Sequence, residues 1–200
     1  MSVFLQVFLP SYFLLYFFFA FVLRGILVAK RFGYNPMVLP SSDDAYGLIG
    51  LYFKVMLVSI FLYTILVAFN PGAYKYLGPV HLLKYSFVQY VGIFLLFIAL
   101  VWTIIAQVHM GASWRIGIDL KNKTELITTG LFTYSRNPVF VGMLGSLLGL
   151  FLTTPNLLTL FFLLLGYVLI QLQVRLEEAY LRNVHGLDYL TYKRQTKRFL

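Results

Sequence analysis

Two short stretches set charged residues directly against apolar sequence. Residues 133–143 read TYSRNPVFVGM, so Arg136 and Asn137 stand immediately before Pro138 and a long apolar run. Proline suits the first position of a helix, because the N–H it lacks would go unbonded there in any case. Arg136 therefore marks a helix N-terminus, where free backbone N–H groups, the helix dipole and a guanidinium fork together favour a carboxylate or phosphate. The other reading of Arg136 is an interfacial anchor whose charge snorkels to lipid headgroups. The second stretch, RLEEAYLRNVHGLDYLTYKRQTKRFL, places Glu177 and Glu178 close behind the last apolar run. Carboxylates there can accept from hydroxyls or an amine and can stabilise a cation. Glu178 and Arg182 also have the i, i+4 order of an ordinary helix ion pair.

Positioning these groups falls to an unusually apolar chain. Of its 200 residues, 60% are hydrophobic and 18% aromatic, far from the composition of a soluble domain. Crossing roughly 30 Å of hydrocarbon takes about 20 apolar residues of helix, and hydropathy places spans at 3–28, 47–69, 86–108, 138–152 and 155–176. These runs lack the alternation of a membrane barrel, and lipid offers no partner for unpaired backbone. The expected fold is an all-α polytopic membrane bundle of about five helices, forming one membrane domain over 1–200. Thr153-Thr154-Pro155-Asn156 after the short fourth span predicts a tight hairpin with the fifth. The N-terminal run lacks a basic n-region and a cleavage site, so it reads as a retained first span.

Several kinds of chemistry are excluded. With no cysteine, there is no disulfide, thiolate nucleophile or thiolate metal site. His81, His109 and His185 lack metal-ligand spacing, so no metal is expected. Gly142, Gly145 and Gly149 resemble a dinucleotide loop only superficially; no strand precedes them, and close helix packing is the better reading.

The net charge of +9 points to anionic headgroups rather than nucleic acid, because the basic residues flank the spans instead of forming a separate polar domain. With five spans, every Lys and Arg except Lys75 and Lys84 lies on one side, as do all seven acidic residues. The positive-inside rule makes that side cytoplasmic, together with the C-terminus, and puts the N-terminus opposite. The polar segment 109–137 is too long for a mere connector. It is expected to form, with the tail from Arg175 onward, a cytoplasmic cap over a cavity that opens toward the bilayer.

Taken in order, His109, Gly111, Trp114, the run Leu126-Ile127-Thr128-Thr129-Gly130-Leu131-Phe132, then Ser135-Arg136-Asn137-Pro138 and Glu177-Glu178 with Gly186, Tyr189, Tyr192 and Arg198 resemble the isoprenylcysteine carboxyl methyltransferase and phospholipid methyltransferase superfamily. The resemblance covers roughly the last 90 residues, 109–200 being the cofactor-binding core that it implies. It implies S-adenosylmethionine as methyl donor, held by His109, Leu126, Gly130, Tyr134, Arg136, Asn137, Phe140, Glu177 and Glu178, with Arg136 and Glu177 as the catalytic pair. It also implies a lipophilic acceptor, an isoprenylcysteine-type carboxylate or a lipid. Asn137 departs from the superfamily's usual histidine, and Phe140 stands where a tyrosine is common. A carboxylate acceptor would need no base, whereas a protonated amine would first lose a proton. The competing readings are an NADPH-dependent membrane reductase, whose phosphates would call for more arginines, and a non-catalytic adaptor or transporter. A transporter would more often carry ionisable residues or broken helices at mid-membrane.

Overall fold

The computed structural model describes residues 2–34, 36, 45–115, 117 and 125–200. Most of them lie in apolar helices, here α1 (Val3–Phe32), α2 (Ala45–Phe69), α3 (Ser86–Met110), α4 (Pro138–Thr153) and α5 (Leu157–Gln195). No strand occurs among the described residues, only two isolated bridges, and the all-α membrane bundle read from hydropathy is the architecture that forms. Four of the helices are long and apolar enough to cross a membrane, and α4 is a shorter apolar one.

Helix ends follow local chemistry. Ser2 caps α1, its Oγ accepting from the Leu5 N–H at 3.4 Å, and Gly33 closes it with a left-handed φ of 75°. Within α1, Phe18–Leu23 is π-helical. The Gln107 side chain donates to the Ala20 carbonyl in this segment at 2.9 Å, tying the irregular turn to α3.

Lipid tails are as apolar as the helices they surround, so the helices associate through close packing rather than hydrophobic expulsion, and small residues permit it. The most extensive contact is between α3 and α4. A Cβ added at Gly142 would overlap Thr103 Oγ1, one at Gly149 would lie 2.9 Å from Leu96 Cγ, and one at Gly92 would lie 2.5 Å from the Thr153 nitrogen. The glycines of GMLGSLLG are packing residues, as their context predicted.

The α4–α5 hairpin is built on a capping box. Asn156 Oδ1 accepts from the Leu158 and Thr159 N–H groups, both at 3.0 Å, while Thr159 Oγ1 accepts from the Asn156 N–H at 3.3 Å. The helix therefore starts just beyond Pro155. Tyr63 of α2 donates to Thr154 Oγ1 at 2.8 Å, which locks the turn to a third helix.

Hydropathy ends the fifth span near residue 176, yet α5 stays helical to Gln195, broken at Gly186 (φ 54°, ψ −120°). Loss of apolar character marks where lipid ends, not where the helix ends. The turn expected around Lys121 to Lys123 and the first-loop residues 37–44 lie outside the described residues.

Candidate functional site

The expected site residues gather at the end of the bundle that carries most of the basic residues, in three places. At the first, His109 at the end of α3 meets the Gly130–Thr133 turn. Its Nδ1 accepts from the Leu131 N–H at 3.0 Å. Gly130 has a φ of 63°, and a Cβ there would lie 2.5 Å from His109 Nδ1. Only glycine combines that backbone with that approach. Leu126 is partly buried nearby in sequence, and Tyr134 is 69% exposed.

The second place is the start of α4. Ser135 forms a parallel bridge with Lys197, and the Arg136 N–H donates to the Lys197 carbonyl at 2.9 Å. Asn137 Nδ2 donates to the Arg198 carbonyl at 3.0 Å, and Tyr192 donates to the Phe132 carbonyl at 2.7 Å. The segment beyond Gly186 thus lies across the 132–137 loop as a strap. Arg136 fastens it: its guanidinium donates to the carbonyls of Lys193 (3.0 Å) and Thr196 and to Glu178 Oε1 (2.8 Å). Arg198 grips the same carboxylate with two bonds of 2.9 Å, and Lys193 reaches it at 3.3 Å.

Three cations converge on one carboxylate here, leaving a surplus of positive charge. Glu178 lies beyond the fifth apolar span, which ends near residue 176. Burial alone would push its carboxyl up, but the hydrogen bonds and charges of Arg198 and Arg136 outweigh this and hold it down at about 2. Arg136 Nε and the Tyr189 hydroxyl are buried without a hydrogen-bond partner among the described residues. Tyr189 belongs to this group, since its hydroxyl is within hydrogen-bonding reach of the Arg136 side chain and the charges of Glu178, Arg136 and Arg198 all act on it. Buried donors beside surplus positive charge suit an anion.

Glu177, the third place, points elsewhere. Consecutive helical residues are about 100° apart, so Glu177 turns away from the strap and lines a partly open cavity of about 580 Å³ between the helices. Its carboxylate accepts from Gln173 Nε2 at 2.8 Å. Burial pushes its pKa up, against the Gln173 hydrogen bond and the charge of Arg115. Phe140, from the first turn of α4, lines the same cavity.

The fold thus unites Arg136, Asn137 and Glu178 under the strap, pairs His109 with Gly130, and puts Phe140 and Glu177 on the cavity. Tyr134 and Leu126 make no hydrogen bond to any of these groups among those described. Glu178 pairs with Arg136, Lys193 and Arg198 rather than with Arg182, the helix partner suggested by spacing. Tyr189 and Arg198 in the strap and Trp114 on the cavity entered the sequence reading only as members of the ordered motif set, and Lys193, Gln173 and Arg115 were not among its site residues. The surplus of basic residues in KRQTKRFL was the available signal for the strap.

A family model described as phospholipid methyltransferase matches residues 87–188. The match takes in α3, the loop, α4 and α5 as far as Asp188, and so both the start of α4 and the two glutamates. No curated protein and no solved structure matches the chain.

Proposed function

Because the chain belongs to the phospholipid methyltransferase family, membrane methyltransferases acting on lipid, we propose that it transfers a methyl group from S-adenosylmethionine to a lipophilic acceptor. In this reading residues 1–200 are one membrane domain, 109–200 is the cofactor-binding core, and the basic end is cytoplasmic and meets anionic headgroups. The observation that carries the reading is the cavity. It is apolar through most of its depth and ends at Glu177, Gln173 and Arg115 beside the first turn of α4. A lipid nucleophile and a polar donor can meet where two such environments adjoin.

S-adenosylmethionine carries a carboxylate, an ammonium, a ribose diol and a sulfonium. The residues at the basic end fit these groups. The Arg136 guanidinium and the Tyr189 hydroxyl, beside surplus positive charge, suit the carboxylate. Glu177 suits the ammonium or ribose, and Phe140 and Trp114 on the cavity wall suit the sulfonium. When bound, the group supplies an electrophilic methyl. The chain's own part is to hold, align and keep dry, since displacement at a methyl carbon depends on alignment more than on proton transfer.

Calorimetric titration of the purified protein with S-adenosylmethionine and S-adenosylhomocysteine tests this. Arg136→Ala and Glu177→Ala should each weaken binding by roughly tenfold or more without unfolding the bundle. Absence of binding to the unaltered protein, or undiminished binding in both variants, overturns the reading; NADPH binding in its place would return the reductase.

A further inference from the structure

Arg24 is the one charged residue in the first apolar run, 3–28. A cation at that depth is costly unless an opposite charge or a polar group meets it. The helix α1 continues from Arg24 to Phe32, so at about 1.5 Å per residue Arg24 lies roughly 12 Å short of the helix end. An arginine that merely snorkels would stretch along the helix toward the headgroups. Arg24 is held sideways instead: its Nη2 donates to the Gly111 carbonyl at 3.0 Å, and its guanidinium carbon lies 5.9 Å from the centre of the Trp114 ring. Its Nε is buried without a hydrogen-bond partner among the described residues.

A partly open pocket adjoins this side chain, between the end of α1 and the end of α3. Arg24, Lys30 and Arg31 line it together with Leu27, Val108 and Gly111, and no carboxylate does. Among the described residues every ion pair belongs to Glu178, so none reaches these three cations. Lys30 and Arg31 sit in the last turn of their helix, where the dipole accounts for them; it does not account for Arg24 and its buried Nε. The apolar part of the wall faces outward. Leu27 and Val108 are exposed, and Val108, Ile105, Val101 and Ile98 continue along α3 as one exposed stripe at helical spacing. A cationic pocket that runs into a lipid-facing stripe matches an anion that carries acyl chains.

We infer that this pocket binds the phosphate of an anionic membrane lipid, whose oxygens accept from Arg24, Lys30 and Arg31 while its chains lie along the α3 stripe. A zwitterionic lipid brings an ammonium of its own, which three cations repel. This lipid is a bound ligand and not a methyl acceptor. It sits outside the cavity of Glu177, and its binding does not depend on the methyltransferase reading. Arg24 nevertheless connects the two places. The guanidinium that would meet the phosphate also holds the Gly111 carbonyl and faces Trp114, and Trp114 lines the cavity with Glu177. Occupancy of the pocket is therefore sensed at Trp114.

Native mass spectrometry of the full chain tests this, with dioleoyl phosphatidylglycerol, dioleoyl phosphatidylcholine and inorganic phosphate as probes. Phosphatidylglycerol should give a saturable one-to-one adduct, stronger than that of phosphatidylcholine by about tenfold. The double variant Lys30→Gln, Arg31→Gln changes only exposed side chains and should weaken that adduct by about tenfold. Arg182→Gln, at an exposed position of the basic end outside the pocket, should leave it unchanged. In Trp102→Phe protein, where Trp114 is the remaining tryptophan, the emission should shift as phosphatidylglycerol saturates and stay still with phosphatidylcholine. Equal binding of the two lipids, an equal loss in Arg182→Gln, or saturation without a shift at Trp114 overturns the inference. Displacement of the lipid by an equal concentration of inorganic phosphate assigns the three cations to a soluble anion and overturns it as well.

Discussion

Adjacent glutamates in one helix have opposite electrostatic surroundings. Glu178 is compensated by three cations, and removing its charge leaves those cations crowded and unpaired. Glu178→Gln should weaken strap docking by about 3 kcal/mol, read as faster hydrogen exchange in residues 187–198. Because its folded-state pKa of about 2 lies below the unfolded value of about 4.3, the docking it supports is complete above that unfolded value. It drains away as pH falls toward 2, so exchange in the strap should rise over that window and stay flat at higher pH. Glu177 shows the reverse, a carboxylate whose burial favours the neutral form. Glu177→Gln should leave thermal stability unchanged or raise it by about 2–4 °C while abolishing methyl transfer; a fall in both would mark a structural residue. The pair of glutamates was legible as a candidate site in the sequence. Their divergence depends on which face of α5 meets the strap, and the motif residues Tyr189, Tyr192 and Arg198 do not by themselves show that the tail folds back onto the start of α4.

At the scale of elements, two glycines do different work. Gly142 permits the close approach of α4 to α3, so Gly142→Ala should cost about 1–3 kcal/mol through overpacking. Thr103→Ala should recover part of that loss in the double variant, because the added Cβ meets Thr103 Oγ1; thermal unfolding of the four proteins in the cycle decides it. Gly186 meets nothing within 4 Å of an added Cβ, and its constraint is the backbone alone. Gly186→Ala should cost about 1–3 kcal/mol in strain, confined to the strap and visible as exchange beyond residue 186 with the bundle unaffected. Hydropathy placed all five helices because lipid imposes a strong and local demand on sequence. It stopped short on α5 because a helix leaving the membrane keeps its hydrogen bonds while its outer face turns polar.

For the whole molecule, the separation of charge predicts orientation. The chain has no cysteine, so single substitutions report sidedness cleanly. Leu82→Cys, at a position 84% exposed near Lys84, should react with an impermeant maleimide added to intact cells, and Leu200→Cys, at a position 66% exposed, should react only after lysis; the opposite pattern reverses the orientation. A cavity beneath the loop was expected from the sequence, but its lining was not legible, since each helix contributes a few lining residues whose apolar character does not distinguish them from lipid-facing ones. The shortness of α4 has its own consequence. Its 16 residues span about 24 Å, less than the roughly 30 Å of hydrocarbon, while its partner α3 has 25 residues. With Gly142 beside Thr103 and Thr153 beside Gly92, α4 stops about one turn before the basic end of α3 and about two turns before the other. The start of α4 is thereby set back from the basic end of α3. On the proposed reading, a lipid acceptor would have a shorter way to rise from its leaflet to this helix start than to the end of α3.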